Sequence, residues 1–189
     1  LYSEWLPRFK MKVVLISTFD LNGGASIAAY RHLQSLIHSG MEAKMLVASK
    51  ESSDLSVIEA NAFPGKKRLK INLAAEKLRF YFHEKSPALR FAFSTADFGY
   101  ALEKHPAVLE ADILHIHWAL QGFLSLNTLQ KLQSLGKPVF WTLHDMWAFT
   151  GGCHYTSGCI KFQDHCSNCP SLFFKSDKDA SYRIFDQKL

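Results

Sequence analysis

Four short runs of the chain, Lys12–Ser17, Ala43–Ala48, Asp112–Ile116 and Pro138–Leu143, are mostly apolar and do not alternate in polarity. A strand with one face in water alternates, whereas one covered on both faces does not. Between these runs lie stretches with helical spacing. Ser26–Ser39 carries apolar residues at 27, 30, 33, 36 and 37 and stops at Gly40, and Ser125–Leu135 closes on Gly136. Strands of this kind alternating with helices predict an α/β fold, a Rossmann-like parallel sheet with helices on both faces.

A chain of 189 residues suits one sizeable core. Its 48% hydrophobic and 21% charged residues are those of a globular protein. No apolar run is long enough to span a membrane, since Asp112, His115 and His117 interrupt the most promising one. Residues 1–10 lack the apolar core of a signal peptide and read as an extraneous or disordered leader, with Met11 as the natural start. The domain is then 11–189. A helical pattern begins at Asp177 and simply stops, which points to a truncated chain. No internal repeat or low-complexity segment appears.

The first strand runs into Asn22-Gly23-Gly24 just before the first helix. Adjacent glycines let backbone amides and a helix N-terminus approach a phosphate or sugar oxygen closely. A plain tight turn is the alternative. The Gly-x-Gly-x-x-Gly spacing of nicotinamide-binding loops is absent.

The run Val139–Leu143 ends at His144-Asp145, followed by Trp147, Gly151, Gly152 and all four cysteines. Ligands of open α/β sheets gather at the carboxyl ends of the strands, so His144 is placed for chemistry unless it merely bonds backbone there. Asp145 either orients His144 or caps the following turn. His115 and His117 share one face of a strand. His-x-His on a strand can bind metal, but no third ligand has an obvious spacing.

Cys153, Cys159, Cys166 and Cys169 follow a Cys-x5-Cys-x6-Cys-x2-Cys pattern. The last pair has the spacing of a zinc knuckle, which makes a structural zinc the expectation, with reduced thiols or disulfides as alternatives. His154 and His165 are potential substitutes for one sulfur. Four sulfurs leave no open position, so no catalytic metal is expected.

Residues 65–91 hold eight basic residues against Glu76 and Glu84, a net +6 in a chain whose total is +5. Leucines and aromatics interleave with the charges, as in an amphipathic surface helix. Either the helix packs its aromatics on the sheet and solvates its lysines, or it touches an anionic membrane. No nucleic-acid motif accompanies the charge, so no nucleic-acid partner is expected.

In their order, the strand, Gly-Gly loop and helix at 12–39, Ala-Asp112-Ile-Leu-His115-Ile-His117-Trp118, and Lys-Pro138-Val-Phe-Trp-Thr-Leu-His144-Asp145-Met-Trp with the cysteine tail resemble the amino-terminal domain of family 4 retaining glycosyltransferases. The similarity is greatest to the branch that builds bacterial capsular and extracellular polysaccharides. The resemblance implies the two-domain GT-B architecture, with this chain as the acceptor-side half. A nucleotide-diphosphate sugar would be the donor and a glycan or lipid-linked molecule the acceptor. His144 would lie beside the transferred sugar, Gly23 and Gly24 near the donor phosphates and acceptor, and His117 and Trp118 at the cleft rim. Transfer by this family needs no metal, and the paired donor-site glutamates belong to the other half, so the chain alone should be inactive. Its setting would be cytoplasmic, peripheral at the inner membrane face. The alternative from a different class is a non-catalytic, zinc-clasped module binding a glycan or a partner.

Overall fold

The computed structural model describes residues 11–60 and 65–188; the expected leader, residues 1–10, lies outside them. Five strands form one all-parallel sheet: β1 (Lys12–Phe19), β2 (Glu42–Ser49), β3 (Val57–Glu59), β4 (Ile113–Ile116) and β5 (Val139–Trp141). Their spatial order is β3-β2-β1-β4-β5, with β1 central. The register places Leu15 beside both Met45 and His115. Helix α1 (Gly24–His38) crosses from β1 to β2. Helices α2 (Gly65–Tyr81) and α3 (Pro106–Glu110) precede β4, α4 (Leu126–Gln133) joins β4 to β5, and α5 (Ala180–Asp186) follows the cysteine segment.

The absence of alternation has a direct cause. Val13 and Leu15 of β1, with Met45 and Val47 of β2, pack against Ala29 and Leu33 of α1. Val14 and Ile16, with Leu46, Leu114 and Ile116, pack on the opposite face against Val108, Tyr100, Phe123, Leu129 and Leu132. Both parities are therefore buried, as a parallel sheet between helix layers requires. A third cluster around Phe80, Phe93, Trp147, Leu172 and Ile184 joins the end of α2 to the segment after β5.

Two expectations need correction. Pro138–Leu143 is not a buried six-residue strand. β5 is a three-residue edge strand, with Phe140 56% and Leu143 49% exposed, because α1 packs over β1 and β2 and leaves this end of its face open. β3 escapes the sequence reading altogether, since three residues give too little pattern.

The second correction concerns the basic segment, whose charges are not simply solvated. Glu76 and Lys77 of α2 are buried. Glu76 Oε1 accepts the backbone N–H of Thr95 at 3.0 Å and of Ala96 at 3.4 Å, and Lys77 Nζ donates to the Phe93 carbonyl at 3.2 Å. These bonds tie segment 93–96, whose own strand pairing is a single antiparallel bridge between Phe93 and Cys153, to the helix. Burial pushes the Glu76 carboxyl above its usual range and the Lys77 ammonium below its own. Arg79 faces Asp97 at 3.4 Å and Arg90 pairs with Glu84, leaving Lys67, Lys70 and Lys85 as exposed cations. Among the described residues no helix is long and apolar enough to cross a membrane.

Candidate functional site

At the carboxyl end of β1 the chain must leave the sheet and enter α1. Asp20, fully buried, accepts N–H groups from Leu21 (3.0 Å), Glu51 (2.9 Å) and Ser52 (2.8 Å), which fastens this loop to the end of β2. Burial acts to raise its carboxyl pKa, but the bonds from Ser52 and Glu51 outweigh it and hold the group below the usual range. The loop then turns at Gly23, whose φ of 88° is left-handed and favours glycine. A Cβ on Gly24 would meet nothing within 4 Å, so the space beside it is open to a ligand. α1 has no side-chain cap at its start. Its first amides therefore remain available, at the positive end of a four-turn helix dipole.

Opposite this loop lie the ends of β4 and β5. Together they enclose an open cleft of about 1380 Å³, solvent included, whose walls include Asn22, Gly23, Gly24, Trp118, His144 and Asp145. The structure thus brings six of the seven expected ligand-side residues to one cleft. His117 is the exception. It is 2% exposed and sits behind His144, its Nδ1 3.0 Å from His144 Nε2, rather than at the rim. The backbone explains the displacement: His117 N–H still bonds the Ile16 carbonyl, so the residue continues the sheet, and only at Trp118 does the chain turn into the cleft.

His144 is partly buried, and burial holds its imidazole below its ordinary pKa, against the upward pull of the Asp145 charge. It is neutral at pH 7. With Nε2 engaged by His117, its Nδ1 has no hydrogen-bond partner among the described residues. Asp145 does not orient His144. Its Oδ2 accepts from Trp118 Nε1 (2.7 Å) and His154 Nδ1 (2.6 Å), and its Oδ1 accepts the Trp147 N–H (2.9 Å). Burial acts to raise this carboxyl, yet the bonds from His154, Trp147 and Trp118 hold it below the usual range. Asp145 is thus a turn cap that also fixes Trp118 and His154.

Several cleft residues carry no signal in the sequence. Phe91 (69% exposed) and Tyr155 (68% exposed) offer aromatic faces at the mouth. Gln121 lines the wall with φ 61°, an uncommon conformation for a residue other than glycine. His154 is not a substitute for a cysteine, because Asp145 holds Nδ1 and Ser94 Oγ meets Nε2 at 3.0 Å. His165 instead stacks on Tyr182, with ring centroids 4.3 Å apart.

All four cysteines line a separate small pocket of about 390 Å³. The Cys153 and Cys169 side chains act on each other, which pulls the Cys169 thiol down to about 6 and pushes the Cys153 thiol up. Gly151 N–H points at Cys166 Sγ at 3.1 Å, and a Cβ on Gly151 would lie 2.7 Å from that cysteine's Cβ, so glycine is required there. The half-buried Lys188 ammonium, pushed down to about 7 by burial and drawn back up by Cys166, Asp145 and Cys153, donates to the carbonyls of Trp147 and Thr150. The sulfurs are neighbours without forming a tight cage: no three of them lie within 4.8 Å of one another. Donor type, pocket and the neighbouring Lys188 nevertheless suit a thiolate-bound ion.

Comparison with known proteins adds one relationship. Over 68 residues the chain is 35% identical to a protein of Escherichia coli (strain K12) described as "Putative colanic acid biosynthesis glycosyl transferase WcaC". The match takes in 35% of this chain and 17% of that protein, so it supports a glycosyltransferase relationship over a limited stretch. No family model matches the chain, and no solved structure matches it.

The bonding of Asp145 gives a stability test. Asp145→Ala leaves the Trp118 indole and the His154 ring without their acceptor and should lower the unfolding free energy by about 3 kcal/mol. Chemical denaturation of the variant checks this, and a loss under about 1 kcal/mol would show that water replaces the carboxylate.

Proposed function

We propose that this chain is the acceptor-side, amino-terminal domain of a retaining family 4 glycosyltransferase with GT-B architecture, working in bacterial polysaccharide biosynthesis at the cytoplasmic face of the membrane. The observation that carries the reading is the shared cleft: the open Gly23-Gly24 loop with the α1 N-terminus on one side, and neutral His144 with Trp118 on the other. The partial relationship to a named glycosyl transferase supports the same class.

In this reading each group has a role that follows from its chemistry. The free amides at the start of α1 receive an anionic oxygen of the nucleotide-diphosphate donor. His144 holds a sugar hydroxyl through Nδ1 and moves no net charge in doing so. Trp118, fixed by Asp145, and the exposed rings of Phe91 and Tyr155 give flat apolar faces to the acceptor glycan. In such an enzyme a donor-binding half supplies the rest of the machinery.

With that half present, His144→Ala should reduce turnover about a hundredfold or more while changing stability by no more than about 1 kcal/mol. Unchanged transfer in a sugar-incorporation assay on the variant would reduce His144 to a structural role.

Membrane contact is the second element. Exposed Tyr81 ends α2 and exposed Phe82 follows it, and Phe173 N–H bonds the His83 carbonyl, which brings exposed Phe173 and Phe174 beside them near Lys85. Aromatics among lysines suit an anionic lipid surface, where a lipid-linked acceptor would be presented. Binding to vesicles containing phosphatidylserine should weaken steeply as salt rises. Equal affinity for neutral vesicles, or none for either, excludes this contact.

The cysteine pocket holds a structural zinc ion in the same proposal, bound by Cys153, Cys159, Cys166 and Cys169 as thiolates, with the Lys188 ammonium offsetting their charge. The ion would hold the segment after β5 in place and take no part in transfer. Cys166→Ser should lose the sulfur-bound zinc and loosen the segment to proteolysis. Elemental analysis of protein purified without chelator decides: zinc content unchanged by Cys166→Ser would remove the clasp.

A further inference from the structure

Behind the cleft, three imidazoles from two elements converge. His115 on β4 and His117 just past its end are two residues apart, so their rings leave the same side of the sheet. That is the side α1 covers, and α1 contributes His32. Among the described residues, this is the one group of three His, Cys, Asp or Glu side chains whose ligand atoms all lie within 4.8 Å of one another. Ring centroids are 4.8 Å apart for His32–His115, 5.6 Å for His32–His117 and 4.6 Å for His115–His117.

Ring packing alone would account for those distances, but not for the hydrogen bonds. His117 gives Nδ1 to His144, and its Nε2 is buried with no partner. Leaving such a nitrogen unsatisfied costs about 1–3 kcal/mol. His115 engages Thr142 Oγ1 through Nε2 at 2.8 Å and keeps Nδ1. Burial first, and neighbouring imidazoles second, hold His115 and His117 below their ordinary pKa, His117 down to about 3. These rings stay neutral, the form that ligates.

We propose that His32, His115 and His117 bind one borderline divalent transition-metal ion of the zinc type, with the fourth position open toward the partly exposed rings of His32 and His115. Three neutral imidazoles select such an ion over calcium or magnesium, which want oxygen. An ion at the centre of the group would sit no more than about 2.8 Å from each nitrogen, against about 2.1 Å for a zinc–imidazole bond, a difference that small ring movements close. Metal on His117 Nε2 puts that ring's proton on Nδ1, where it donates to His144 Nε2. The proton of His144 is then on Nδ1, the nitrogen free for the cleft. The ion would set the tautomer of His144 without touching the cleft's ligand.

The test reads metal and not sugar transfer, so it stands or falls apart from the function proposed above. In a Cys166→Ser/Cys169→Ser background, which removes the sulfur pair, the full chain is dialysed against zinc and analysed for metal. One equivalent should remain, and His32→Gln in that background should weaken its binding at least about tenfold. Cobalt(II) added to the background protein should give visible d–d bands without sulfur-to-metal charge transfer, a readout that needs no histidine variant to fold. Absence of those bands, absence of the zinc equivalent, or equal zinc affinity after His32→Gln in protein with unchanged far-UV circular dichroism would overturn the site.

Discussion

One half-buried carboxylate organises the β4–β5 side of the cleft. Asp145 receives the Trp118 indole from the end of β4, the His154 ring from the cysteine segment and the Trp147 amide from its own turn. Three separate pieces of chain meet on two oxygens. Trp147 is 1% exposed and its indole donates to the Ser94 carbonyl at 2.8 Å, which extends the network to the segment that Glu76 and Lys77 hold. Lys188 lies over the Trp147 ring at 3.9 Å and donates to the Thr150 carbonyl at 2.6 Å, next to the cysteine pocket. The cysteine segment and Trp118 are thus joined through Lys188, Trp147 and Asp145 by hydrogen bonds to charged groups.

This architecture was only partly legible in the sequence, and the division follows physical lines. The β1 and β2 strands were readable because residues of both parities are buried, and β4 because Leu114 and Ile116 are buried while Ile113 and His115 are partly covered, and that leaves a local imprint. β5 carries the same imprint without the burial: Val139–Trp141 is apolar, yet it lies at the edge of the sheet with Phe140 exposed. Apolar composition reports the tendency to be covered, not whether the described residues do the covering. Glu76 and Lys77 show the converse, since a charged pair within a basic run looks solvated until its backbone partners in 93–96 are known.

The site divides likewise. Gly23, Gly24 and His144 were visible because they stand at strand ends, where parallel sheets place ligands. Phe91, Gln121, Tyr155 and His154 were not, because each arrives from a connection whose path only the fold defines. The histidine trio is the extreme case. His115 and His117 form a readable pair, but His32 comes from α1, and its spacing from them in sequence carries no information about their spacing in space.

Electrostatics then separates the two walls of the cleft. On the first wall, uncapped amides and a helix dipole present partial positive charge with no acidic residue in the first turn to cancel it. Asp20 lies nearby, but its carboxylate faces the amides of 21, 51 and 52 and is neutralised by them in place. On the second wall the only carboxylate among the described residues, Asp145, likewise has both oxygens bonded, and His144 is kept neutral by burial. One wall therefore favours an anionic oxygen, and the other favours uncharged hydroxyls beside aromatic faces. A ligand carrying a phosphate at one end and a sugar at the other matches that asymmetry, whereas a dianion spanning both walls would find no compensating charge at His144.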